Sequence, residues 1–232
     1  MKPLPQLSGR QEPFWLLLVA TLVLFVFYYL ARADVVGVFS PERGWFPLSK
    51  PPLHPTAHFV VSGVLLGLIP VLAARWLTRS SFKDLGLGLG RWRLGVVWLA
   101  IGIPLAVLAG WISAPSPELR AVYPLDPTLT AEPARFMPHA LRQAPYFFAW
   151  EVLFRGVILF GLRKHVGGAT ANAIQTALSV LAHFGRPMEE TLSAIPAGLV
   201  FGAIDLRVGS IWYVAIIHWV VGVALDWWIV GM

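Results

Sequence analysis

An all-α, polytopic transmembrane helix bundle of about six to seven membrane segments, with a buried polar cavity, is the fold this sequence predicts. Three observations lead there. Hydrophobic residues make up 57% of the 232 positions and charged residues only 13%, with a mean hydropathy of +0.68. A soluble domain of this size needs far more charge to cover its surface. Apolar runs near the length needed to cross a hydrocarbon core, about 20 residues of helix, recur along the chain. Finally, ionisable residues stand inside several of these runs, where each costs about 3 kcal/mol or more unless it is paired or faces a wet cavity.

The first span is expected over Phe14 to Ala31, FWLLLVATLVLFVFYYLA. Lys2 and Arg10 precede it and Ala31-Arg32-Ala33 follows, as in a cleavable signal peptide. The apolar run is long for such a leader and more spans follow, so an uncleaved helix is expected. Residues 32–56 read as a proline-rich loop containing PPLHP, and a second span covers His58 to Leu77. The connection RSSFKDLGLGLGRWR is the most basic in the chain and is expected to face the cytoplasm. Its glycines alternate with leucines and lack the GxGxxG spacing of a phosphate loop, so it reads as a surface turn or interfacial segment.

A third span is expected over Trp92 to Ile112. The stretch Ser113 to Pro138 is rich in proline and mildly acidic, which suits the opposite side of the membrane. The fourth span, Leu141 to Leu162, is followed by Arg163, Lys164 and His165, cytoplasmic by charge. Three shorter segments close the chain: Ala171 to Phe184, Thr191 to Leu206 and Ile211 to Val230. The middle one carries Pro196, Gly198 and Gly202 and is read as a tilted span or a buried half-helix enclosed by protein. Residues 1–136 thus form an N-terminal transmembrane region of about three helices with loops, and 137–232 a core of helices. The expectation is an integral multi-pass protein with its N-terminus in the cytoplasm, in the plasma membrane if the source is bacterial.

The net charge of +6 and pI near 10.1 fit Lys and Arg facing anionic lipid better than a nucleic-acid partner. With no Cys, disulfides and thiolate nucleophiles are excluded. There is also no Gly-x-Ser-x-Gly elbow and no HExxH zinc motif.

What remains is a set of polar residues in apolar surroundings. Glu151 and Arg155, in AWEVLFRG, are four residues apart on one helical face and within reach of an ion pair. Such a pair serves either to pin a neighbouring helix or to build a site. His183 closes QTALSVLAH, and His218 lies in YVAIIHWVVGVALD, sharing a face with Gly222 and Asp226 at four-residue steps. Gly222 leaves room for another helix, a water or a substrate backbone. A desolvated carboxylate can act as general base towards water, and histidines can stabilise an oxyanion or bind a metal. No cofactor is expected, with a divalent metal such as zinc left open.

At these residues, across roughly 140 to 230, the chain resembles the glutamic-type intramembrane proteases that include the type II CAAX prenyl endopeptidases and their bacterial relatives, the CPBP or Abi family. WEVLFRG resembles the family's first motif through Glu151, Phe154, Arg155 and Gly156; SVLAHF supplies the histidine of the second, His183; His218 matches the third. AGLVFGAIDLRVGSIW resembles the run before the third motif, and DLGLGLGRWR a Leu-Gly-Leu segment before a family helix. The chain departs from the pattern at Trp150, where the family carries the leading glutamate, at Gly222, where it carries Asn or Asp, and at Ser179, where it carries an aromatic. Glu189 and Glu190, just after His183, are candidates to fold back over the site, or acids at a helix N-terminus. Asp226 is a candidate to replace the missing Asn or Asp as a hydrogen-bond partner.

The resemblance implies an intramembrane endopeptidase hydrolysing a peptide bond of a membrane-associated or C-terminally tailed protein. Its base is Glu151 or a loop glutamate, with His183 and His218 on the carbonyl and Arg155 orienting Glu151. The alternatives are an inactive membrane scaffold or immunity-type protein of the same fold, and a small transporter. The transporter reading lacks matched broken helices in two halves.

Overall fold

The structure, a computed structural model, describes residues 11–28, 55–130 and 132–232 and is helical throughout, with no strand among them. Helix α1 is Glu12–Val26, and α2 is Thr56–Thr78. Then come α3 (Trp92–Ser113), α4 (Phe136–Val166), α5 (Gly168–Leu181), α6 (Met188–Val208) and α7 (Trp212–Gly231). Among the described residues five helices, α2, α3, α4, α6 and α7, are long and apolar enough to cross a bilayer, and α1 is a shorter apolar helix. The chain is a polytopic membrane bundle. Helices satisfy this environment because each backbone N–H and C=O finds its partner within the segment.

Helix α4 is the central post. It runs 31 residues, beyond both ends of the predicted Leu141 to Leu162, and 78% of its most apolar window is buried, against 17% for α3. After Glu151 it widens into π-helical turns over Val152–Phe160, and every residue of that stretch is buried. Helix α3 lies at the periphery against α7. Its glycines 95, 102 and 110 let the backbones close, since a Cβ there would approach Tyr213, Ile217 and Ala224 to 2.3, 2.4 and 2.8 Å. Close packing of this kind holds helices together where lipid removes the hydrophobic drive.

The predicted segment from Ala171 to Phe184 is found as the equally long α5, Gly168–Leu181, displaced three residues towards the N-terminus. One face of α5 buries Asn172, Gln175, Thr176 and Ser179. Gln175 Nε2 donates to the Gly198 carbonyl at 2.9 Å and Asn172 Nδ2 to the Leu199 carbonyl at 2.9 Å. Those amides need a partner helix, and α6 supplies it. Helix α6 itself is a continuous 21-residue helix despite Pro196, so the half-helix alternative is not realised. The predicted first span extends past residue 28, and its last residues, with the loop predicted after it as far as residue 54, lie outside the described residues.

The Leu-Gly-Leu connection is more than a surface turn. Leu85 is fully buried, Ile211 N–H donates to the Gly86 carbonyl at 3.0 Å, and Arg91 N–H donates to the Val208 carbonyl at 2.8 Å. Trp212 Nε1 donates to the Leu87 carbonyl and Tyr213 hydroxyl to the Leu89 carbonyl, each at 2.9 Å. Gly86 and Gly90, with φ of +69° and +56°, give the left-handed backbone that this strap across the α6–α7 turn requires. Glu12 at the start of α1 meets Lys164 at 2.5 Å and His165 at 3.2 Å on the same rim. The opposite rim carries the 114–135 segment, stapled to α4 where Arg142 Nη2 meets Asp126 Oδ2 at 3.1 Å.

Candidate active site

Helices α4 and α7 position the two residues at the centre of the site. Glu151 is fully buried, and its Oε1 accepts from Arg155 Nη1 at 3.2 Å and lies 2.6 Å from His218 Nδ1. A carboxylate beside a guanidinium only accepts, so His218 carries a hydrogen on Nδ1. The α4–α7 crossing thus links three of the residues singled out in the sequence into one cluster.

His183 reaches the same place from the turn after α5. Its Nδ1 donates to the Ser179 carbonyl at 2.7 Å, which leaves Nε2 facing Glu190 Oε1 at 4.0 Å. Glu190 stands in the first turn of α6, where the helix dipole favours an acid. Its Oε2 accepts from the Tyr123 hydroxyl at 2.9 Å, and that hydroxyl accepts from Arg186 Nη1 at 3.0 Å. Burial pushes the Tyr123 hydroxyl well above the ordinary phenol value of 10.0, so it remains a donor to Glu190.

These side chains enclose a hollow with two chambers. The larger, about 160 Å³, is lined by Trp150, Arg155, His183, Glu190, Phe201 and His218, among others. The smaller, about 40 Å³, shares His183, Glu190 and His218 and extends to Gln143 and Asp226. One water needs about 10–15 Å³ on this measure, so the larger chamber has room for several. Glu151 lines neither chamber; it sits behind His218 and Arg155.

Two of the three departures, Trp150 and Gly222, have physical counterparts in the packing around the site. Trp150 is 3% exposed, and its ring packs edge-on against His183 at 5.1 Å and beside Phe154 at 4.8 Å. An indole therefore fills the position next to His183 where the family carries its leading acid. At Gly222 a Cβ would lie 2.2 Å from the Phe147 ring, and that ring also stacks edge-on against His218 at 5.0 Å. The room that Gly222 leaves is taken by Phe147 of α4. Asp226 points elsewhere than His218: its Oδ2 lies 2.8 Å from His139 Nε2, both side chains buried. Glu189 is exposed and lines neither chamber.

Three polar residues of this region escaped the sequence reading. Tyr123 lies in a proline-rich segment with no periodicity to place it. His139 precedes the predicted start of the fourth span. Asp205 is fully buried on α6, within electrostatic reach of Glu151 and Arg155, and neither of its oxygens has a hydrogen-bond partner among the described residues. An acid inside the apolar run AGLVFGAIDLRV was the available signal. Among the described residues no group of three or more His, Asp or Glu side chains is arranged to hold a metal ion.

Fold and site together define a multi-pass membrane protein that buries a carboxylate–imidazole cluster beside a hollow. Residues 146–224 match the protein family described as Type II CAAX prenyl endopeptidase Rce1-like. That stretch contains Glu151, Arg155, His183, Glu190 and His218, while Tyr123, His139 and Asp226 fall outside it. No curated protein and no solved structure shows a significant match to the chain.

Proposed function

We propose that this protein is an intramembrane endopeptidase that hydrolyses a peptide bond of a membrane-associated or C-terminally tailed protein by Glu- and His-assisted attack of water. The observation that carries the reading is convergence: Glu190, His183 and His218 line one chamber, with Glu151 2.6 Å behind His218.

In this proposal Glu190 takes the part of the missing leading glutamate. Water donates one hydrogen to the Glu190 carboxylate and one to His183 Nε2, the ring nitrogen left free by the bond to Ser179, so its lone pair is aimed at the substrate carbonyl. Glu190 accepts the proton as the oxygen–carbon bond forms, and later returns it to the leaving amine as the carbon–nitrogen bond breaks. His218, as an imidazolium whose Nδ1 donates to Glu151, donates from Nε2 to the carbonyl oxygen as that oxygen becomes negative. Arg155 holds Glu151 in place, and Tyr123 fixes the Glu190 rotamer. Asp226, paired with His139, ties α4 to α7 beneath the smaller chamber.

The experiment is cleavage of candidate membrane substrates by protein reconstituted in lipid, comparing wild type with Glu190→Gln, His218→Ala, His183→Ala and Glu151→Gln, with metal analysis of the same samples. Loss of turnover in folded Glu190 and His218 variants supports the proposal; processing equal to wild type in both removes it. A second reading, a non-catalytic scaffold, draws on Trp150 at the leading-acid position. It predicts partner binding that survives all four substitutions.

A further inference from the structure

The two rims of the bundle differ in charge, and the hollow belongs to one of them. One rim gathers the start of α1, the stretch 75–93, the end of α4 and the α6–α7 turn, held together by the strap and by the ion pairs of Glu12. On it stand eight Lys and Arg, in 75–93, 163–164 and at 207, against two acids, Glu12 and Asp84. The other rim gathers the end of α3, the 114–135 segment, the start of α4, the turn after α5, the start of α6 and the end of α7. Arg142 bonding Thr56 Oγ1 at 3.0 Å and Arg120 Nη1 lying 3.8 Å from Met232 Sδ tie these ends together. In its stretches 114–142 and 182–190, four Arg stand against five acids. Sequence 29–54, between α1 and α2, carries three Lys and Arg and two acids, and counting these with this rim leaves the contrast in place.

Lys and Arg in short connections set the orientation of a membrane protein, with the richer side retained in the cytoplasm. Tyr123, Arg186 and Glu190, which line the hollow, all come from the poorer rim. From the hollow the walls continue between α6 and α7 as apolar surface: Ala194, Ala197, Phe201, Val221 and Leu225. We infer that the hollow opens on the non-cytoplasmic face of the membrane, and that its substrate is a polypeptide already carried across the bilayer, with apolar residues flanking the bond to be cut. The substrate half rests on the endopeptidase reading; the orientation half stands on charge and geometry alone. A substrate whose scissile bond stays on the cytoplasmic face is excluded by this arrangement.

The absence of Cys makes the test direct. Single cysteines are introduced in the full chain at exposed positions on each rim, Glu118→Cys and Glu189→Cys on one, Lys83→Cys and Arg207→Cys on the other. A membrane-impermeant maleimide is then applied to intact cells of a Gram-negative host with a permeable outer membrane, and to the same cells after lysis. The inference expects the first pair to be labelled in intact cells and the second only after lysis. Labelling of Lys83→Cys or Arg207→Cys in intact cells, or protection of both Glu118→Cys and Glu189→Cys until lysis, overturns it. Labelling does not depend on turnover, so a chain that labels as expected yet cleaves nothing removes the endopeptidase reading and leaves the orientation intact.

Discussion

The same two helices, α4 and α7, form two buried histidine–carboxylate pairs with the roles exchanged. In one, Glu151 comes from α4 and His218 from α7, 2.6 Å apart; in the other, His139 comes from α4 and Asp226 from α7, 2.8 Å apart. By residue type and distance they are equivalent. What separates them is access. The His218 side chain is 22% exposed and lines both chambers, whereas His139 is 0% exposed and lines neither. Phe59 and Phe136 crowd His139 instead, with centroids 6.0 and 6.5 Å away. The hollow thus reaches the imidazole of one pair and only the carboxylate of the other, whose histidine, enclosed by aromatic rings, holds two helices in register.

The comparison breaks most sharply on activity. His218→Ala and Glu190→Gln are each expected to lower turnover about 10²- to 10⁴-fold, the range for a lost acid–base or polarising group, while His139→Ala stays within about tenfold of wild type. Cleavage rates in liposomes check this. On stability the order reverses. His139→Ala leaves the Asp226 carboxylate buried without its partner, which typically costs about 3–5 kcal/mol, so its thermal unfolding midpoint in detergent should fall furthest of the series.

Packing around the accessible pair comes next. Gly222→Ala drives a Cβ into Phe147, and overpacking of this kind costs about 1–3 kcal/mol. Adding Phe147→Ala should restore the unfolding midpoint; a double variant no better than Gly222→Ala would show that Phe147 is not the obstacle. Tyr123→Phe removes a charge-assisted bond to a partly exposed acid, and turnover should drop about tenfold with the protein's stability almost unchanged.

The smallest effect concerns the rim above the hollow. Burial raises the Asp126 carboxyl, but bonds from Thr128 and the charge of Arg142 outweigh it and hold its pKa below the ordinary carboxylate value of 3.8. A depressed folded value means the staple is fully present above the unfolded value and is lost as pH falls through the folded one. Limited proteolysis of the 114–135 segment should therefore be constant from neutral pH to about 4 and rise only below it. In Asp126→Asn the same segment should be cut faster at neutral pH.

Much of the bundle could be read from hydropathy and charge, because a spanning helix writes its length and its flanks into the chain. Trp92–Ser113 and Trp212–Gly231 fall close to where their apolar runs do. Helix α5 was less legible: its amides are satisfied by carbonyls of α6, a contact that no local window contains. Glu151, Arg155 and His218 stood out because each is anomalous in its own apolar segment, and His183 because SVLAHF resembles a family motif. Tyr123 and His139 did not, since neither is unusual where it stands; their importance comes from neighbours far away in sequence. The pairing of Asp226 with His139 was hidden for the same reason, as four-residue spacing from His218 identifies a shared face and not a shared partner.

The central claim is that Glu151 acts through His218 and not directly on water. A double-substitution cycle in cleavage rate, Glu151→Gln and His218→Ala alone and together in reconstituted protein, tests it most directly. The account predicts that the double variant is no slower than His218→Ala, because the carboxylate has no role once the imidazole is gone. Losses that multiply, with Glu151→Gln slowing the His218→Ala protein as much as it slows wild type, would contradict it.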